Sequence, residues 1–217
     1  MTQNDEEFGR AYAHNQIARQ QNPLRKLIKH FYVARILRHV RGLAIDMGCG
    51  AGQILERLPE GSLGIELNPY LVDALRKRNL RVRLADTSKG DFHLGDIKPN
   101  EFQSLILSHV LEHFENADTA LRSLLANCAK AGISNVIIVV PGQVGYRSDP
   151  THKTFVTEEY LKAKGLSQCE GFGISHLSYF PGNMRLLGNL FIYHELMIVY
   201  RLEHSPPQTA GLSVEGI

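Results

Sequence analysis

An apolar segment running straight into three alternating glycines constrains this chain most: residues 43–52 read Leu-Ala-Ile-Asp-Met-Gly-Cys-Gly-Ala-Gly. Glycine tolerates positive φ and lets backbone N–H groups approach a ligand closely. Asp46-x-Gly48-x-Gly50-x-Gly52 therefore predicts a strand-to-helix turn around a polar hollow, with free helix N–H groups beside it. A second apolar run, Leu63-Gly64-Ile65, ends on Glu66, fourteen residues after Gly52. It puts a carboxylate on the next strand, at the edge where open α/β sheets bind ligands and where sugar hydroxyls can be held.

From Leu43 onward, short apolar runs alternate with helical patterns. Strands are expected at Leu43–Met47, Ser62–Glu66, Arg81–Ala85, Ser104–Ser108 and Asn135–Val140, then at Gly171–His176 and Tyr193–Arg201. Helices are expected near Gly52–Leu58, Leu71–Arg78, Asp118–Lys130 and Thr157–Lys164. Such alternation predicts βαβ units and a parallel sheet with helices on both faces. Residues 136–140 are apolar throughout, which suits a strand buried on both sides.

At 217 residues the chain can bury a substantial core as one domain. No apolar run reaches the roughly 18 residues of a membrane span, and the start is polar and acidic rather than signal-like. Three scattered cysteines, Cys49, Cys128 and Cys169, suggest neither a disulfide framework nor a zinc motif, so a reduced, cytoplasmic setting is expected. Charge is uneven: residues 1–42 carry +5 and the remainder −3. Most of the basic residues fall in a helical pattern between Pro23 and Val40. This helix can cap the core with its other faces solvated, or attract an anionic acceptor, a lipid surface or RNA. Without tryptophan, and with only Phe31 and Tyr32 nearby, it offers few platforms for stacking bases.

The glycine turn discriminates between cofactors. A dinucleotide turn needs its third glycine three positions after the second, but Gln53 stands there and Gly52 comes one residue early. Asp46, just ahead of the glycines, also sits poorly beside a diphosphate. A cationic cofactor without phosphate removes both objections.

Here the sequence resembles the class I S-adenosylmethionine-dependent methyltransferases, in particular the broad small-molecule group. Asp46–Gly52 is similar to their first glycine-rich motif, and Glu66 to the acid that holds both ribose hydroxyls. Ala85-Asp86-Thr87 stands where an adenine-contacting Asp is found. Val110-Leu111-Glu112-His113 resembles their "LEH" segment, and Phe155-Val156-Thr157 through Gly165-Leu166 their late helix and turn. The likeness spans about residues 43 to 202. It implies a Rossmann-like, doubly wound, mostly parallel seven-stranded sheet with an antiparallel last strand, helices on both faces and an N-terminal helical cap. The expected organisation is a cap at 1–42, a catalytic domain at 43–202 and a mobile tail at 203–217. The implied cofactor is S-adenosyl-L-methionine, held by Asp46, Gly48, Cys49, Gly50, Gly52, Glu66, Leu67, Asp86, Thr87 and Ser108. Two departures stand out: Phe102-Gln103 replaces the usual aromatic-Asp pair, and the long segment 86–101 carries rival acids at Asp91 and Asp96.

A sulfonium methyl is already electrophilic, so the protein must chiefly align a nucleophile and, for an oxygen acceptor, remove its proton. Catalytic candidates are His109 and His113 after the fourth strand and His152 after the fifth, with His176 more remote. The polar loop 141–155 offers Tyr146, Arg147 and Asp149 for acceptor recognition. Neither the acid set of a metal-assisted catechol site nor an Asn/Asp-Pro-Pro-aromatic run is present, and no HExxH motif accompanies the histidines. The expectation is therefore metal-independent methylation of a small molecule, an anionic one among the candidates, at oxygen first, with carbon and amine acceptors open. The alternatives are an RNA- or protein-modifying enzyme of the same fold, or a binder without catalysis.

Overall fold

In the computed structural model, residues 9–11, 23–86, 92–94, 96–180 and 194–203 are described. Eight strands form one sheet: β1 (Ala44–Met47), β2 (Leu63–Glu66), β3 (Val82–Leu84), β4 (Ser104–Ser108), β5 (Asn135–Pro141), β6 (Gln168–Cys169), β7 (Phe172–Phe180) and β8 (Glu195–Leu202). Their order across the sheet is β3-β2-β1-β4-β5-β8-β7-β6. Strands β1 to β5 pair in parallel, whereas β8 runs antiparallel to both β5 and β7, and β6 antiparallel to β7. The sheet thus has eight strands, one more than the expected seven, because the two-residue β6 follows the turn at Gly165. So short a pairing leaves no periodic pattern in a sequence.

Each helix is explained by its ends and its apolar stripe. Helix α1 (Pro23–Leu37) begins with proline, whose missing N–H costs nothing in a first turn. Helix α2 (Pro69–Lys77) is capped by Asn68, whose side chain accepts from the N–H groups of Tyr70 and Leu71 at 2.9 and 3.3 Å. Helix α3 (Ala117–Lys130) buries Leu121, Leu124, Leu125 and Cys128 at helical spacing. A short α4 (Gln143–Arg147) stands inside the loop after β5, and α5 (Glu158–Ala163) is capped by Thr157. No helix among the described residues is long and apolar enough to cross a membrane.

Strand β5 shows how two layers close over one sheet. Val136, Ile138 and Val140 face α3 together with Phe102 and Tyr200. Ile137 and Val139 face the other side, with Val33 and Ile36 of α1 and Val72 and Leu75 of α2. Alternate residues point to opposite faces, so an unbroken apolar run is what burial on both sides requires. The expected helix over Gly52–Leu58 shrinks to a single 3₁₀ turn at Leu55–Arg57, with Pro59 beyond it. The tail from 204 onward, Thr87 and Asp91 lie outside the described residues.

Strand order reverses between β1 and β4. The carboxyl ends of β1, β2 and β4 therefore open into one crevice.

Candidate active site

A cavity of about 380 Å³ occupies that crevice. It is lined by Gly48, Gly50 and Glu66, by Asp86 and Asp96 with Arg83 and His93, and by His109 and His113 of the turn after β4. The glycine turn is built by φ values of +73° at Gly48, +54° at Gly50 and +83° at Gly52. A Cβ at Gly48 would lie 2.5 Å from Val110 Cγ2, and one at Gly52 2.5 Å from Leu75 Cδ2. Gly50 differs, since a Cβ there would meet nothing within 4 Å. Open space beside a cavity-lining backbone is room for a ligand.

Glu66 is held toward this space. Its Oε2 accepts from the Gly50 N–H at 2.7 Å and its Oε1 from the Asn68 N–H at 2.9 Å. Each carboxylate oxygen has a further lone pair, so two vicinal hydroxyls can donate to it without displacing either bond. Leu67, largely exposed, flanks it, and Asp86 lies further along the wall. A nucleoside with sugar hydroxyls and no phosphate fits these residues.

Four of the sequence-proposed cofactor residues are not on the cavity wall. Asp46 points to the face opposite Met47, is 1% exposed and accepts a hydrogen bond from the Leu55 N–H. Burial, reinforced by nearby Glu66 and opposed by the Leu55 bond, pushes its pKa up to about 7. Cys49 packs against Gly64, and burial raises its thiol pKa, which removes it as a nucleophile. Gly52 serves the turn. The Ser108 hydroxyl is hydrogen-bonded to Tyr32 of α1, so it ties the N-terminal helix to β4. Arg35 donates to the Tyr179 carbonyl at 2.7 Å, so one member of the basic helix is a structural tie.

At the histidine end, His109 adopts φ +56°, a left-handed conformation that histidine tolerates better than most residues. This turns its ring between two acids, with Nδ1 3.2 Å from Glu112 Oε1 and Nε2 3.0 Å from Glu195 Oε1. Burial alone would depress its pKa, but the hydrogen bonds and charges of Glu112 and Glu195 outweigh it and lift the value to about 10. A ring protonated at neutral pH supplies positive charge, not a base. His113 Nδ1 lies 3.1 Å from Thr151 Oγ1. His152 Nδ1 lies 2.9 Å from the Tyr146 carbonyl, and the two imidazoles meet edge to face at 4.8 Å. The fold therefore brings the three histidines of residues 109–152 together. His176 is elsewhere, stacked on His39 at 4.6 Å.

The expected acceptor residues play supporting parts. Tyr146 stacks on His152 at 5.6 Å, and Asp149 accepts from the Thr151 N–H and hydroxyl at 2.9 and 2.6 Å. Arg147 is exposed, and none of the three lines the cavity. Two acids at this end were not singled out from the sequence: Glu112, 0% exposed, and Glu195. Glu112 stood inside the quoted "LEH" segment; Glu195 left one weak sign, an acid opening an otherwise apolar strand.

Residues 45–134 match the model of the methyltransferase domain family. The match is thus to a methyltransferase domain, and the fold is that of S-adenosylmethionine-dependent methyltransferases. Among curated proteins no relative matches the sequence. Solved structures do: a S-adenosylmethionine-dependent methyltransferase of Archaeoglobus fulgidus superposes with TM-score 0.61 at 20% identity, over 82% of this chain and 94% of that one. The magnesium protoporphyrin IX methyltransferase of Synechocystis, with bound S-adenosylhomocysteine, gives 0.60 at 16% identity over 91% and 98%. The N-methyltransferase NodS of Bradyrhizobium japonicum, also with S-adenosylhomocysteine, gives 0.60 at 16% over 90% and 99%. At these identities the likeness is one of fold. The methyltransferase domain is continuous with the cavity just described, since Gly48, Glu66, Asp86, His109 and His113 all fall inside the matched residues.

Proposed function

We propose that this methyltransferase transfers the methyl group of S-adenosylmethionine to an oxygen atom of a small-molecule acceptor. The observation that carries this reading is one cavity lined by both the Glu66 carboxylate and His113. When bound, the cofactor supplies a methyl carbon already activated by its sulfonium.

The chain's own residues divide the remaining work. Glu66 orients the ribose while the Gly48–Gly50 backbone leaves room for the rest of the cofactor, and Asp86 serves the base. His113 has its Nδ1 engaged by Thr151, which leaves Nε2 as the lone pair available to the acceptor. A hydroxyl needs such a partner because its proton must leave as the new C–O bond forms. Cationic His109, clamped by two acids, fixes the wall beside it. Phe114 and Val110 on the same wall exclude water from the reacting centre.

The test is turnover against hydroxylated metabolites, read by mass spectrometry as a gain of one CH₂. For His113→Ala the expected result is loss of about 10²–10⁴-fold in turnover with cofactor affinity kept. Methylated amines as the sole products would replace the oxygen assignment. A salt-sensitive affinity for RNA, falling by decades between about 50 and 200 mM salt, would favour a nucleic-acid acceptor instead.

A further inference from the structure

We propose that Glu112, His113 and His152 form a binding site for one divalent transition-metal cation at the acceptor end of the cavity. One ligand atom from each of these residues lies within 4.8 Å of the others. Proximity alone is common; the hydrogen bonds around the cluster are what distinguish it.

A carbonyl can only accept, so His152 Nδ1 donates to the Tyr146 oxygen at 2.9 Å, and its lone pair resides on Nε2. That nitrogen is 3.8 Å from Glu112 Oε1, too far for a hydrogen bond. Thr151 gives its hydroxyl proton to Asp149 at 2.6 Å, so at 3.1 Å it accepts from His113 Nδ1, and His113 likewise keeps a lone pair on Nε2. Glu112 is wholly buried, and its Oε2 has no hydrogen-bond partner. The two imidazole lone pairs thus stand beside the buried Glu112 carboxylate, whose Oε1 accepts from His109 and whose Oε2 is unpartnered. A buried carboxylate oxygen is rarely left in this state, and a cation held between it and the two imidazoles would answer it. Fixing each histidine through its other nitrogen is how proteins orient imidazole ligands.

The backbone holds the geometry as well. The N–H groups of Lys153 and Thr154 both donate to the Glu112 carbonyl, at 2.8 and 3.1 Å, which staples the loop after β5 to the turn after β4. Two nitrogens and one carboxylate suit zinc or manganese far better than magnesium or calcium, which favour all-oxygen shells. Three protein ligands leave a coordination position open. Of the three, His113 lines the cavity, which puts the site beside it. Resting on the proposed methyl transfer to oxygen, but with the His113 Nε2 lone pair given to the cation instead of to the acceptor proton, the cation would acidify a coordinated acceptor hydroxyl. Its proton goes to solvent, the oxygen pair forms the bond to the methyl carbon, and the carbon–sulfur pair stays on sulfur. This departs from the metal-independent route expected from the sequence.

The experiment strips the full chain with a chelator and titrates it calorimetrically with zinc chloride, and with manganese chloride in parallel. The expected result is one equivalent bound. His152→Ala and His113→Asn should each weaken binding by about tenfold or more while the metal-free melting temperature is kept, and His176→Ala should leave it unchanged. No uptake of either ion, or uptake that survives loss of both His113 and His152, overturns the site. S-adenosylhomocysteine is titrated into the same samples. Zinc uptake without cofactor binding would sink the methyltransferase reading and leave the metal site standing, and the converse result would do the opposite.

Discussion

The two ends of the cavity are built on different principles. The nucleoside end is made of backbone: positive-φ glycines, the N–H groups of Gly50 and Asn68, and one carboxylate carried on β2. The histidine end is made of side chains from β8, the turn after β4 and the loop after β5, which meet only after folding. A backbone site is specified by local sequence and is tolerant of its surroundings. A side-chain site depends on each partner holding the next. Class is therefore set at the first end and acceptor chemistry at the second.

The largest expected effect separating the two ends is that of Glu66→Ala. Removing the carboxylate should weaken S-adenosylhomocysteine binding by about 100-fold or more, since charge-assisted bonds to two hydroxyls are lost. Isothermal calorimetry checks this, and unchanged affinity would detach Glu66 from the ribose. Gly48→Ala comes next. A Cβ at φ +73° and 2.5 Å from Val110 should cost about 1–3 kcal/mol. That corresponds to a melting temperature lower by roughly 3–10 °C in a chain of this size. A thermal scan showing no change would mean the loop relaxes freely.

Asp46→Asn sharpens the contrast with Glu66, because both acids sit beside the same crevice but only Glu66 lines the cavity. Cofactor affinity should change by less than about fivefold, below 1 kcal/mol. Folding raises the Asp46 pKa from 3.8 to about 7, so its contribution to stability is full below the unfolded value and is lost as pH rises through about 7. The asparagine variant should therefore gain on the wild type as pH rises from about 5 to about 8. Denaturant melts at the two pH values test the sign, and a variant that instead loses ground would place a needed charge at Asp46.

The smallest effect concerns His109. Its pKa is raised from 6.5 to about 10, so the stability from its two acid partners is present below the unfolded value and disappears as pH climbs through about 10. His109→Gln should flatten that alkaline decline. An identical decline in the variant would assign it to other groups.

The difference between the ends also explains what was legible in the sequence. Strand β4 appears where its apolar run placed it, and β1, β2 and β5 to within one residue, because burial on both faces leaves a continuous signal. Glu66 was legible because glycine spacing and strand length fix its position relative to the turn. Asp46 belonged to the same motif, yet it lies one residue short of the end of β1 and is buried off the cavity wall, while Met47 and Glu66, the last residues of their strands, line it. The histidines were candidates by position, but the roles of Glu112 and Glu195 were not readable. Glu195 is 86 residues from His109, and only the antiparallel register of β8 on β5 brings it near. No local spacing encodes such a meeting.

The central claim is that the hollow behind the glycine turn takes an adenosyl sulfonium or its demethylated product. Thermal melting with S-adenosylhomocysteine tests it most directly. At about 100 times Kd the ligand should stabilise the chain by roughly 2.7 kcal/mol, a shift on the order of 5–11 °C, with none from NAD. A shift produced by NAD and absent with S-adenosylhomocysteine would contradict the account.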